Sequence, residues 1–130
     1  MEVILLDTSA LVESLSGARR SFLALVGWLE RGELLGLPAL VLYEWLSGPR
    51  TEAELALQRQ LFPDAAALPF GPEEAALSAE LYRTLPRARS RVVDFGIAAC
   101  ALRRDAGLWT LDTEDFADIP GLKLARPDVG

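Results

Sequence analysis

Carboxylates are the side chains in this sequence whose placement could do chemistry. Histidine is absent and Cys100 is the single cysteine, which excludes nucleophile systems that need a His base and zinc sites that need a His ligand. Any reaction must run on acids, hydroxyls, arginines, Lys123 and Cys100. Four acids stand where an apolar run would continue or has just ended. Asp7 follows the run Val3 to Leu6, and Asp112 follows Leu108 to Leu111. Glu44 interrupts Leu40 to Leu46, and Asp94 interrupts Val92 to Ile97. A charge among apolar residues is costly unless it is paired or bound to a cation.

Each acid alone has an ordinary explanation. Asp7 could cap the turn that follows it, Glu44 could point to solvent, Asp94 could complement a helix dipole, and Asp112 could make an Asx-turn. Capping does not explain acids at two strand ends and within two helices together. If they converge, their repulsion calls for a cation, and an all-oxygen set suits Mg²⁺ or Mn²⁺. The reaction that fits is phosphoester hydrolysis, in which a metal lowers the pKa of a water and neutralises phosphoryl charge. Thr8, Ser9, Thr110 and Thr113 lie close enough in sequence to orient these carboxylates, although turn and strand bonding is the commoner role for such hydroxyls.

The elements that must position these residues alternate between strand and helix. Val3 to Leu6 reads as a buried strand, and a carboxylate at its C-terminal end stands where open α/β sheets bind ligands. A short segment from Thr8 to Leu15 follows, with Thr8 or Ser9 as its cap. Phe22, Leu25, Val26 and Leu29 recur at helical spacing, and Gly32 suits the C′ position. Leu34 to Leu37 is a brief strand, and Pro38 opens the helix that carries Glu44. Thr51 to Glu54 has the form of a capping box, and Ala65 to Pro69 is a weak strand candidate. A helix from Pro72 toward Leu85 is followed by an Arg-rich loop. Ser90 is the expected cap of the helix with Asp94, Leu108 to Leu111 forms a strand, and Leu122 to Leu124 forms the last one. This alternation predicts a parallel sheet covered on both faces, with Asp7 and Asp112 at the same edge.

At 130 residues the chain is the size of one domain, so a single domain over residues 1–130 is expected. The hydrophobic share of 51% and charged share of 25% are those of a globular protein. No apolar run approaches the roughly 20 residues that span a bilayer, so a cytoplasmic protein without membrane contact is expected. The net charge of −6 argues against coating nucleic acid by bulk attraction. Arg83, Arg87, Arg89 and Arg91 nevertheless cluster before Asp94, and Arg87, Arg89 and Arg91 are candidates for phosphate contact. Trp28, Trp45 and Trp109 read as core, given their neighbours.

The segments D-T-S-A-L from Asp7, Tyr43-Glu44-Trp45, V-V-D-F-G-I-A-A-C-A from Val92, and T-L-D-T-E-D-F from Thr110 resemble the PIN domain. Size and ending resemble, within it, the VapC toxins of type II toxin–antitoxin systems. The resemblance implies a PIN-like three-layer α/β/α fold with a mostly parallel sheet of about five strands. It implies a Mg²⁺-dependent endoribonuclease that dimerises as a homodimer and is inhibited by a small VapB-like antitoxin. Asp7, Glu44, Asp94 and Asp112 fall on the family's acidic positions, Asp115 on a further one, and Ser9 stands where many relatives carry Asn.

Other classes fit less well. A haloacid-dehalogenase-type phosphatase would need an acid at Ser9, and a receiver domain would have to use Lys123 near the chain's end. A non-catalytic binding module would leave the acids structural. A PIN ribonuclease of RNA processing or quality control is the closest alternative to a toxin.

Overall fold

A computed structural model describes residues 2–127; residues 1 and 128–130 of the expected domain lie outside the described residues. Strand β1 spans Val3–Leu6. Its Ile4, Leu5 and Leu6 have no exposed surface, and successive side chains leave a strand on opposite faces, so both faces of the sheet are covered here. With β2 (Leu34–Gly36), β3 (Gly107–Trp109) and β4 (Lys123–Leu124) it forms a sheet of order β2-β1-β3-β4. Every neighbouring pair is parallel.

Helices α1 (Thr8–Leu15) and α2 (Phe22–Glu30) link β1 to β2. Helices α3 (Ala39–Ser47), α4 (Glu52–Leu61), α5 (Pro72–Thr84) and α6 (Val92–Arg103) link β2 to β3. Because β2 and β3 flank β1 on opposite sides, the strand order reverses between β1 and β3. The crevice at the carboxyl ends of such a pair is where open α/β sheets bind ligands. Leu6 pairs with Trp109, and the Asp7 N–H donates to the Trp109 carbonyl at 2.9 Å. Asp7 and Thr110 therefore leave the sheet side by side.

Local chemistry accounts for most boundaries. The reciprocal Thr51–Glu54 capping box opens α4 as predicted. Gly32, at φ +79°, closes α2 in a Schellman arrangement. Its N–H reaches Leu29 O at 3.0 Å, and the Glu33 N–H reaches Trp28 O at 3.2 Å.

Three boundaries differ from expectation. Neither Thr8 nor Ser9 caps α1, because Thr8 is its first helical residue and Asp7 takes the N-cap position. Ala65 to Pro69 is not a strand: Asp64–Ala66 is a 3₁₀ turn and Leu68 makes only an isolated parallel bridge to Pro38. The bridge is confined between that turn and the start of α3 at Ala39, with Leu68 N–H donating to Leu37 O at 2.8 Å and Ala39 N–H to Leu68 O at 2.7 Å, so the described sheet has four strands where about five were expected. Ser90 does not cap α6. The chain enters that helix through a 3₁₀ turn, Ala88–Arg91, in which the Ser90 hydroxyl donates to Arg87 O at 3.0 Å. The N-cap position falls to Arg91.

Trp45, Trp109, Phe95 and Phe116 are the largest fully buried side chains, and Trp28 packs edge-on against Trp109 with centroids 6.1 Å apart. The small residues Ala98 to Ala101 bury α6. A Cβ at Gly96 would collide with Leu40 Cδ1 and come within 3.2 Å of Phe70 Cε1. Glycine thus lets α6, which carries Asp94, lie close against α3, which carries Glu44.

Candidate active site

Asp7 stands at the N-cap position of α1, yet its side chain makes no capping bond. Its carboxylate, only 4% exposed, instead accepts at Oδ2 from the Thr110 hydroxyl at 2.7 Å and the Ser9 hydroxyl at 3.0 Å. These hydroxyls lie 3.2 Å apart. Ser9 Oγ accepts from the Leu111 N–H at 2.9 Å, and Thr110 Oγ1 from the Asp112 N–H at 3.0 Å. The network ties the end of β1 to the segment after β3 and fixes the Asp7 carboxylate.

Glu44 is half-buried on α3 and accepts at Oε1 from the Thr8 hydroxyl at 2.5 Å. Thr8 opens α1, so the two helices meet through this pair. Asp94, also half-buried, lies in the first turn of α6. Its carboxyl is pushed up to about 6, first by burial, then by the charges of Asp7, Asp115 and Glu44, with Arg91 opposing. Asp112 is exposed, and its carboxyl is raised by burial and then by Asp7 and Asp115. Topology has brought these acids into one another's fields from four separate elements.

Asp115 ends the 3₁₀ turn Thr113–Asp115 and is exposed. Among the described residues no three acids are drawn into a closed ligand set for a metal. The donor chemistry, oxygen only, is that of Mg²⁺, which keeps several waters and takes only one or two carboxylates directly. Burial first and neighbouring acids second raise the carboxyls of Asp94 and Asp112, and a bound cation would relieve the second of these.

The arginines divide. Arg87 and Arg89 are exposed. Arg91, expected to contact phosphate, is 5% exposed and forms a two-pronged pair with Asp118. Its charge is already neutralised, so it is not free to hold RNA. Sequence reasoning missed Asp118, because nothing local marks an exposed acid in A-D-I-P as the partner of a residue 27 positions earlier.

A cleft of about 540 Å³ is bounded by Ser9, Glu13, Arg20, Leu111 and Asp112, the one site acid among the described residues that lines it. Glu13 was not singled out from sequence either. Lys123, the cation a receiver domain would need, pairs with Asp105 at 3.0 Å.

The Thr110–Asp7 bond gives a direct test. In Thr110→Val the shape is kept but the buried carboxylate loses its shorter bond. Chemical denaturation should show a loss of about 1–2 kcal/mol. Unchanged stability would mean that the Thr110 hydroxyl contributes nothing to holding the Asp7 carboxylate.

The sequence matches the PIN domain family model over residues 4–122, and the chain belongs to the PIN domain family. No curated protein sequence matches it. Among solved structures it is similar to a toxin–antitoxin complex from Klebsiella pneumoniae at 25% identity and TM-score 0.73, covering 96% of this chain and 98% of that one. It is similar to FitAcB from Neisseria gonorrhoeae at 26% identity and TM-score 0.66, with 95% and 97% covered. It shares its fold with VapBC2 from Rickettsia felis, solved with a promoter DNA fragment, at 19% identity and TM-score 0.69, with 97% and 99% covered. No helix among the described residues is long and apolar enough to cross a membrane.

Proposed function

We propose that this chain is a metal-dependent endoribonuclease of the VapC type, the toxin of a type II toxin–antitoxin pair. The observation that carries the reading is that acids from separate elements act on one another: Asp7, Asp115 and Glu44 on Asp94, and Asp7 and Asp115 on Asp112. The carboxyls of Asp94 and Asp112 are raised by burial first and by these neighbouring charges next. Family membership supports it, since PIN domains are generally nucleases. The toxin role draws support from the similar solved complexes, among them the Klebsiella toxin–antitoxin complex.

In this reading Asp7 and Asp94 hold Mg²⁺ or Mn²⁺, with Glu44, Asp112 and Asp115 completing the acidic surround. A bound cation supplies activation of water and neutralisation of charge at the scissile phosphate. Ser9 and Thr110 keep the Asp7 carboxylate oriented, and Thr8 does the same for Glu44. Arg87 and Arg89, exposed on the turn before α6, offer cations to flanking phosphates. Unpaired RNA suits an open cleft because its backbone and bases are accessible without melting a duplex.

The acidic site also suits a small antitoxin that presents a basic segment, and pairing with a second copy of this chain belongs to the same reading. Neither Tyr43, 66% exposed, nor Tyr82, 44% exposed, packs into this chain's core.

The test is cleavage of labelled single-stranded RNA by the wild type with Mg²⁺ and with EDTA, alongside Asp7→Asn. Cleavage should vanish in EDTA, return with excess Mn²⁺, and be absent in the variant. Equal cleavage in every condition would overturn the metal-nuclease reading, and cleavage of no RNA in any would favour a binding module. A short upstream gene for a DNA-binding protein separates a toxin from a processing ribonuclease.

A further inference from the structure

We propose that Arg91, locked by Asp118, is the positioning residue that sets where the loop carrying Asp112 and Asp115 lies relative to Asp94. The inference rests on the metal-site reading above and deepens it.

Arg91 sits at the N-cap position of α6, three residues before Asp94, so its backbone and that acid move as one body. Its guanidinium reaches across to the other acid-bearing element. Nη1 donates to Asp118 Oδ2 at 3.0 Å and to Pro86 O at 3.2 Å. Nη2 donates to Asp118 Oδ1 at 2.5 Å and to the backbone carbonyl of Asp115 at 3.0 Å. The underside lies over the Phe95 ring, 4.8 Å from its centroid. The planar fork therefore has one orientation, fixed by a carboxylate, two carbonyls and an aromatic face.

The loop has a separate means of staying folded. Phe116 and Ile119 are buried at 1% and 4% exposure. Its turns close through Asp115 N–H to Asp112 O at 3.0 Å and Phe116 N–H to Thr113 O at 3.2 Å. These bonds hold the loop to itself and its apolar anchors hold it to the core. The bond from Arg91 to Asp115 O ties its acidic end directly to the base of α6. Loss of the lock should therefore loosen the acids without melting the domain.

Asp118 is a clean handle, because its side chain is 41% exposed and bears no role in the acid group. Mn²⁺ binding to the full-length chain is followed by calorimetry for wild type, Asp118→Asn and Arg91→Lys, with amide hydrogen exchange of residues 112–119. Asp118→Asn should weaken Mn²⁺ binding about tenfold, within the range of groups that orient metal ligands. Exchange of the loop amides should speed up while α6 amides are unaffected. Arg91→Lys keeps the buried charge but loses the fork, so it should weaken Mn²⁺ binding as well; full retention there would assign the effect to charge and overturn positioning.

Wild-type affinity and loop exchange in Asp118→Asn would overturn the proposal while leaving the metal site standing. A wild type that binds no Mn²⁺ would overturn the metal-site reading, and the role given to Arg91 with it.

Discussion

Asp94→Asn is expected to abolish cleavage and, at the same time, to make the metal-free protein more stable at pH 8. The catalytic loss should be at least about 100-fold, because in the proposed site this carboxylate would hold the cation, and removing it would forfeit several kcal/mol of charge stabilisation. The stability gain follows from the carboxyl held at about 6 in the folded chain against an ordinary 3.8. Burial is the main cause, with Asp7, Asp115 and Glu44 adding to it.

Between those values the folded state binds more protons than the unfolded one, so stability falls as pH rises through the window. The penalty is fully present above about pH 6 and absent below the unfolded value. Each tenfold difference in proton affinity between folded and unfolded chain corresponds to roughly 1.4 kcal/mol. Discounted because the group is only half-buried, the penalty amounts to about 1–2 kcal/mol. Asparagine removes it, raising Tm at pH 8 by about 5 °C, with little difference from wild type near pH 3.5. Saturating Mg²⁺ should reverse the order, since a ligand that binds only the folded wild type stabilises only that protein. An active variant, or one less stable than wild type at pH 8 without metal, would remove Asp94 from the proposed site.

Trp45→Ala is expected to produce the largest loss of stability. Trp45 is fully buried on α3, under the Arg50 guanidinium at 4.2 Å from its ring centroid. Truncation to Ala removes a whole indole from the core and should cost about 3–5 kcal/mol. That is a large part of the roughly 5–15 kcal/mol that holds a domain together, and Tm should fall by more than about 10 °C.

Trp45→Phe should cost far less, about 1–2 kcal/mol. The indole Nε1 is buried with no hydrogen-bond partner, so phenylalanine relieves an unmet polar group even as it leaves a smaller void. Denaturant titration of both variants tests this. A Phe variant as unstable as the Ala variant would mean that the indole N–H contributes to stability after all. Glu44 is the preceding residue along α3, so the Ala variant should also lose cleavage at temperatures where the domain is still folded.

Much of the site was legible because its cost was legible. Asp94 among Val92, Val93, Phe95 and Ile97, and Glu44 among Leu42, Tyr43 and Trp45, interrupt apolar runs in which a charge is expensive wherever the run is buried, as at Trp45, Phe95 and Ile97. Asp7 after an apolar run marks a strand end whatever lies beside it. Helix boundaries set by neighbours a few residues apart were equally readable, as in the Thr51–Glu54 box and at Gly32.

Features that depend on distant partners were not readable. Arg91 looked like its exposed neighbours Arg87 and Arg89, because only Asp118 and the ring of Phe95 distinguish it. Thr110 looked like a strand residue, and its bond to a carboxylate 103 positions away exists only because β1 and β3 are neighbours. The stretch from Ala65 to Pro69 was apolar enough for a strand, yet a 3₁₀ turn at Asp64–Ala66 and the start of α3 at Ala39 leave it one bridge.

The sequence by itself determined which chemistry this protein can attempt: no histidine, oxygen donors only, and carboxylates set where burial penalises them. Only the tertiary structure decided how those carboxylates are held. Strand order places Asp7 beside Thr110, the glycine at 96 lets α6 approach α3, and Arg91 ties the acidic loop to the helix of Asp94. Composition and local pattern act through residues within a turn of one another, whereas orientation of a site is set by contacts that form when the sheet and its helices close.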